Sequence, residues 1–172
     1  MEKGTSEIRI YVACLAAYNN GILHGRWIDA TQEAEDIWAE IREMLRSSPI
    51  EEAEEWAIHD HKGFEGVLVS EYQSIESVCE IAAFISEHGA LGGKLIEYYG
   101  NLADARDAMK NYYIGCYPYL SDFAQEITEE ATDIPENLKP YIAWDRMARD
   151  LEINDVLAIE TGFEEVHLFW SH

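Results

Sequence analysis

Acidic residues dominate the charge of this chain, and their excess limits what it can fold into. The 172 residues include 34 Asp and Glu against 12 Lys and Arg, a formal net charge of −22. Like charges repel and weaken a compact state. Hydrophobic residues nevertheless make up 48% of the chain and aromatic residues 12%, too much for a disordered acidic tail. We therefore expect a folded chain, long enough for one ordinary domain or two to three very small ones, with its acids on the surface.

The same excess restricts the partners. Direct nucleic-acid binding needs a basic surface, so the charge argues against it and favours a basic partner, a cationic ligand or mere solubility. The sequence has neither the pattern of a signal peptide nor the roughly 18 apolar residues of a membrane span. Cys14, Cys79 and Cys116 are odd in number and far apart. They predict reduced thiols in a cytoplasmic protein.

Hydrophobic periodicity predicts a small α+β unit in the first sixty residues. Alternation over residues 7–15 indicates a strand, Asn20-Gly21 a tight turn, and residues 23–29 and 55–59 two more strands. Thr31 is the expected N-cap of a helix with acids in its first turn. The apolar residues of that helix are Ala34, Ile37, Trp38, Ile41, Met44 and Leu45. Residues 61–66 are interpreted as a linker.

The middle of the chain is predicted to be helical. Ser74 caps a helix that ends at His88-Gly89, a shorter one ends at Gly100, and Asn101 caps a fourth that reaches Tyr112.

The last third returns to α+β. We expect a strand at residues 113–117, a helix capped by Ser121 over residues 122–132, and a brief helix at Pro135. A helix over residues 140–151 follows, and a hairpin of residues 156–160 and 166–170 turns around Thr161-Gly162. The inward-facing residues of the longer helix are expected to be Tyr141, Trp144, Met147, Ala148 and Leu151.

Acids form rows on these helices. Glu33, Asp36, Glu40 and Glu43 fall on one helical arc, with a rise of about 4.5–6 Å between neighbours. Each like-charge pair at this spacing weakens a helix by about 0.2–0.5 kcal/mol. Positions at which a sequence repeatedly sacrifices local helix stability are expected to serve a function. The candidate partner-binding acids are Glu33, Asp36, Glu40, Glu43, Glu51, Glu52, Glu54, Glu76, Glu80, Glu87, Asp122, Glu126, Glu129, Glu130 and Asp133.

Rows of fixed carboxylates can imitate DNA. Duplex DNA carries one negative charge per roughly 1.7 Å of axis, and preorganised charges avoid an ordering cost on binding. A basic DNA-binding groove would then accept this protein in place of DNA. The alternative is that the rows are solvated helix faces without a partner.

Other groups of residues give weaker evidence for a function. His59-Asp60-His61 could share a metal on alternating strand positions, but no third or fourth ligand stands nearby in sequence. Catalytic motifs are missing, and no carboxylate pair stands out as acid and base. The sequence predicts no enzyme, cofactor or metal. An acidic adaptor that binds a basic partner through a tyrosine-rich patch stays open, and its tyrosines would be Tyr98, Tyr99, Tyr112, Tyr113, Tyr117 and Tyr119.

Several segments, in this order along the chain, match the pattern of a known family. Its N-terminal signature is matched by residues 10–13, 18–21, 25–27 with Asp29, and 56–60. Its central motif is matched by Leu95, Glu97, Tyr98, Gly100, Ala105, Ala108, Tyr113 and Gly115. Tyr141 and residues 147–151 and 166–169 match its C-terminal part, whereas Gly92, Gly93 and Lys94 match nothing in the pattern. Together these segments resemble the ArdA-type antirestriction proteins of mobile genetic elements, and the central motif looks like their antirestriction motif.

The resemblance implies an elongated α+β protein of three small domains that mimics bent B-form DNA. Such proteins occupy the DNA-binding groove of type I restriction-modification enzymes, formed by the specificity and modification subunits, and inhibit restriction and modification. It also implies a homodimer with contacts mainly in the C-terminal third. Two chains would carry twice the net charge of −22, equal to that on roughly 75 Å of duplex.

The expected domains follow the predicted elements. An N-terminal α+β domain, a three-stranded sheet plus a helix, takes residues 1–61. A middle helical domain, a small bundle, takes 62–104. A C-terminal α+β domain with the hairpin and the expected dimer contacts takes 105–172. Because the motif is poor in acids, we interpret it as the joint between the last two domains.

Overall fold

A computed structural model describes residues 8–171. The chain separates into two compact units, one running to Gly100 and the other beginning at Asn101. In the described residues, helices accompany two three-stranded antiparallel sheets, which confirms the predicted α+β class. The division into three domains stays a prediction.

The first unit begins with the predicted sheet. Strands β1 (Arg9–Cys14), β2 (Gly25–Asp29) and β3 (Trp56–Lys62) are antiparallel in the order β2-β1-β3. The predicted first strand starts at residue 7, which lies outside the described residues. Helix α2 (Ala34–Arg46) follows α1 (Leu15–Asn19) and β2 and packs on one face of the sheet. The side chains of the sheet and of α2 that are at most 1% exposed include Ile10, Val12, Ile28, Ile37, Ile41 and Met44.

Three details of this region differ from the sequence prediction. The chain forms α1 before the predicted turn at Asn20-Gly21, because Leu15 to Asn19 complete one helical turn directly after the strand. The cap of α2 is Glu33 and not Thr31, whose amide and hydroxyl both bind the Asp29 carboxylate, at 2.8 and 2.6 Å.

The predicted linker at residues 61–66 begins too early and is not separate from the core. His61 and Lys62 continue β3 because they pair with β1, and Phe64 is 2% exposed, so its side chain belongs to the core.

Helices α3 (Ile75–His88) and α4 (Ala90–Tyr99) complete the first unit. The predicted Ser74 cap is confirmed, since its hydroxyl accepts from the Ser77 amide at 3.1 Å. The break at Gly89 and the left-handed end of α4 at Gly100 (φ 82°) are also as predicted.

The second unit starts with helix α5 (Leu102–Asp107), which Asn101 caps as predicted by accepting from the Asp104 amide at 2.8 Å. A π-helical turn (Ala108–Tyr112) leads into β4 (Tyr113–Tyr117). Strands β5 (Val156–Gly162) and β6 (Glu165–Trp170) join it in the order β4-β6-β5. Helices α6 (Leu120–Ala131) and α7 (Trp144–Asn154) pack together, and α7 also contacts β5.

In the second unit, helix boundaries and the exposure of some side chains also differ from the sequence prediction. Tyr119, not Ser121, occupies the cap of α6. Residues Glu136–Tyr141 form a 3-10 helix, so α7 starts after Pro140, and its predicted core residues Tyr141 and Met147 are exposed. The hairpin is confirmed, but Gly162 still pairs with β6 and the turn lies at residues 163–164.

Candidate functional site

Acids predicted on separate helices meet on one surface of the first unit. Helix α3 packs beside α2, and Trp38 of α2 donates its indole N–H to Glu76 of α3 at 3.2 Å. Burial raises the pKa of the Cys79 thiol, and the carboxylates of Glu76, Glu33 and Glu80 raise it further. One thiol is therefore close to carboxylates associated with both helices. We call Glu33, Glu76 and Glu80 the α2–α3 acidic surface.

Pairing distinguishes the acids along α2. Every candidate acid except Glu40 is exposed. The half-buried Glu40 carboxylate accepts from the Gln32 amide at 2.7 Å and lies 3.7 Å from the Arg26 guanidinium. Glu43 pairs with Arg46 at 3.1 Å. These two acids hold neighbouring side chains, and Glu40 in particular ties α2 to β2.

Some carboxylates occupy backbone positions that do not suit glutamate. Glu52, in the loop between α2 and β3 with Glu51 and Glu54, has φ of 59°. Glu65 and Glu164 have φ of 50° and 52°. A left-handed conformation costs an L-residue other than glycine about 1–2 kcal/mol. Every non-glycine residue with positive φ between residues 8 and 171 is a glutamate, so charge is kept where another residue would fit better.

In the second unit, the acids of α6 surround a tyrosine. The Tyr117 hydroxyl donates to Glu126 at 3.3 Å, and the Gln125 amide donates to Glu129 at 3.1 Å. Burial raises the pKa of Tyr117, with further contributions from Glu126 and Glu130. Tyr117 therefore lies against the acidic row. The fifth predicted acid, Asp133, is exposed just beyond the end of α6.

One further carboxylate, which no sequence pattern identifies, joins this group. The Tyr119 hydroxyl donates to Glu164 at 3.0 Å; this hydrogen bond, and to a lesser degree the charge of Asp122, raises the pKa of Tyr119. Glu164 lies in the hairpin turn, far in sequence from α6, so no helical spacing could identify it. Two tyrosines of the hypothetical patch thus hydrogen-bond to carboxylates.

The motif residues divide between core and surface. Leu95, Ala105 and Ala108 are fully buried, whereas Glu97, Tyr98 and Tyr113 are exposed. Gly100 ends α4, and Gly115 lies beside a register shift in β4, with φ of 152°. The Tyr113 hydroxyl lies 2.8 Å from Nδ1 of His167. The boundary between the two units falls inside this motif.

Two glycines allow α4, where the motif begins, to pack closely against the loop before α3. A Cβ at Gly93 would lie 2.5 Å from both Cβ and the carbonyl oxygen of Glu65, and one at Gly66 would lie 3.3 Å from a carboxylate oxygen of Glu97. The loop before α3 therefore packs directly against α4. Gly93, for which the family pattern offered no role, permits this approach.

The two histidines of the metal hypothesis have different surroundings. Residue His59 is the extra residue at a register shift in β3. Its ring packs edge-on to Tyr18 and lies 3.6 Å from Glu71, while His61 packs on Phe64. No group of three or more possible ligands within the described residues is arranged to hold a metal. None of the helices among those residues is long and apolar enough to cross a bilayer.

Comparison with known families decides what kind of protein carries these acids. Residues 10–165 match the family model described as "Antirestriction protein (ArdA)". The chain belongs to the ArdA family. Members of this family are inhibitors, and the kind of partner on which they act is a restriction enzyme. No curated protein matched the chain in a sequence comparison.

Proposed function

We propose that this ArdA protein inhibits type I restriction-modification enzymes by presenting carboxylates in place of DNA phosphates. The observation that carries the proposal is the α2–α3 acidic surface, in which an exposed acid at the start of α2 and two on α3 lie near the same thiol, on helices that pack together. Rigid placement matters because charges already in position lose little entropy on binding. A basic groove built for phosphates would bind such a surface strongly at low salt.

In this proposal each unit presents its own exposed candidate acids to the enzyme. We also propose the finer details that the family resemblance implies: contact with the specificity and modification subunits, action in the cytoplasm, three domains and a homodimer. Two subunits would double the number of carboxylates available to a groove that spans a long DNA site. The dimer is checked by the molar mass in light scattering across a range of protein concentrations.

Competition with DNA tests the proposal directly. A fluorescent duplex that contains the recognition site is bound to a type I specificity–modification core, and this protein is titrated in. We expect release of the duplex, with an apparent affinity that falls steeply as salt rises. A ternary complex, or displacement unaffected by salt, would refute DNA mimicry.

Two charge-matched variants test the location of the surface. The variant Glu76→Gln/Glu80→Gln removes two carboxylates from the α2–α3 acidic surface. The control Glu152→Gln/Glu160→Gln removes two exposed acids outside the candidate set. We expect the first variant to compete more weakly than the second. Equal loss would mean that total charge alone determines binding. In the adaptor alternative, Tyr117→Ala would abolish binding while Glu76→Gln/Glu80→Gln would not.

A further inference from the structure

The sheet of the first unit has a second charged face, opposite α2. Side chains alternate across a strand, so residues between the core positions of β1 and β2 face away from α2. Tyr11 and Trp27 are a directly opposed pair of this kind, with ring centroids 5.4 Å apart. Arg9 and Lys62 are another opposed pair, one from β1 and one from β3. We call these four residues the cationic face.

Both cations of this face converge on one indole. The Lys62 ammonium lies 4.9 Å from the centroid of the Trp27 ring, and the Arg9 guanidinium carbon lies 5.8 Å from it. Each distance is within the range of a cation–π contact, worth about 0.5–1 kcal/mol at an exposed site. Lys62 is exposed, and the other three residues are half-buried. The indole thus holds two positive charges beside solvent.

Neither cation pairs with an acid in the part of the chain that the structure describes. Within residues 8–171, no carboxylate lies within 4.0 Å of the charged nitrogens of Arg9 or Lys62. Two acids share this face: Asp29 lies directly opposite Arg9 in the strand register, and Asp60 lies opposite Tyr11. Their carboxylates accept hydrogen bonds from Thr31 and from the His61 amide instead.

Arg9 also carries a cost that stability does not explain. Its Nε is buried and has no hydrogen-bond partner among the described residues. A buried donor without a partner costs about 1–3 kcal/mol. A residue of suitable shape without that donor would cover the sheet at no such cost. Positions where a local rule is broken in this way are expected to serve binding.

The charges of the whole chain decide which anion can reach this face. A free anion or a nucleic acid approaches a molecule with a net charge of −22 and is repelled. A carboxylate carried on a predominantly basic protein is attracted together with its carrier. Two cations already lie over the Trp27 ring, so a base that stacked there would compete with them.

We propose that the cationic face binds an Asp or Glu side chain at the edge of the restriction enzyme's basic groove, an inference that rests on the proposed function. The acidic surfaces supply attraction, and this one contact of opposite sign fixes register, because paired charges of defined position give specificity more than affinity.

Two variants with the same change in net charge test this contact, because opposite effects on binding are expected from them. Lys62→Gln and the control Arg42→Gln each remove one positive charge from the first unit. Arg42 is exposed on α2 with no ion pair to a described residue, so its loss makes the protein more attractive to a basic groove. Lys62→Gln adds the same attraction but removes the cation that would bind the enzyme's carboxylate. We expect about 3- to 10-fold weaker binding to the DNA-free core for Lys62→Gln, and unchanged or tighter binding for Arg42→Gln.

Two further variants separate binding from folding. Lys62→Arg retains the charge and should restore affinity, and Trp27→Leu should weaken binding without changing net charge. Thermal unfolding of each variant checks that it is folded. If Lys62→Gln binds as tightly as Arg42→Gln, the cationic face has no carboxylate partner and the inference fails. Failure of the unmodified protein to displace DNA would instead refute the proposed function, and the two results are read independently.

Discussion

Replacing Glu52 by glycine should stabilise this protein, although the change removes a side chain. Glu52 is exposed and has φ of 59°, whereas its neighbour Glu51 is exposed with an ordinary negative φ. Glycine adopts positive φ freely, so Glu52→Gly relieves about 1–2 kcal/mol of backbone strain. It also increases the conformational freedom of the unfolded chain, which costs about 0.4–1 kcal/mol. The net change is a gain of up to about 1.5 kcal/mol.

Glu51→Gly is the matched control, because it removes the same charge and introduces the same residue without relieving strain. The entropic and charge effects cancel between the two variants, so Glu52→Gly should be more stable than Glu51→Gly by about 1–2 kcal/mol. Urea unfolding of both variants measures this difference. Equal unfolding midpoints would refute the strain argument. In the DNA competition assay we expect both variants to lose a similar, small amount of affinity, since each lacks one carboxylate.

Three other changes test separate parts of the structure. Gly93→Ala should lower the free energy of unfolding by about 1–3 kcal/mol, because its Cβ overlaps Glu65; an unchanged unfolding midpoint would contradict the packing of α4 on that loop. Burial lowers the pKa of His167 below 6.5. The unfolded state therefore binds more protons just below this pH, and stability falls as pH drops from 6.5 towards the lowered pKa. His167→Gln should flatten this part of the stability–pH curve, and a curve parallel to that of the unmodified protein would contradict the argument. Glu126→Gln alone should reduce competition with DNA little, because charge is distributed, and a large loss would indicate a local site.

Helical spacing predicted the elements with long apolar stripes well. The buried residues of α2, which are Ile37, Ile41 and Met44, are all among those expected. The caps at Ser74 and Asn101 were found because each side chain accepts from an amide three residues ahead. Boundaries set by competing local bonds were missed. Thr31 has a side chain that suits a helix cap, but its amide and its hydroxyl both donate to the Asp29 carboxylate.

The candidate site was predictable in its parts but not in its assembly. Sequence spacing identifies which carboxylates share a helix, yet only tertiary packing brings Glu76 of α3 to Trp38 of α2. Tyr119 and Glu164 are 45 residues apart, and nothing local connects them. The cationic face was missed for the same reason, since its four residues come from three strands.

The left-handed glutamates help to decide between a functional surface and a merely solvated one. Solubility can be supplied by any exposed position, so it gives no reason to put a carboxylate where the backbone favours glycine or asparagine. Residues Glu52, Glu65 and Glu164 occupy such positions in both units. A high-salt habitat likewise selects for total charge and not for its location. Carboxylates retained at a local cost are better explained by a partner that reads where the charges lie, and inhibition of a DNA-binding enzyme supplies that partner.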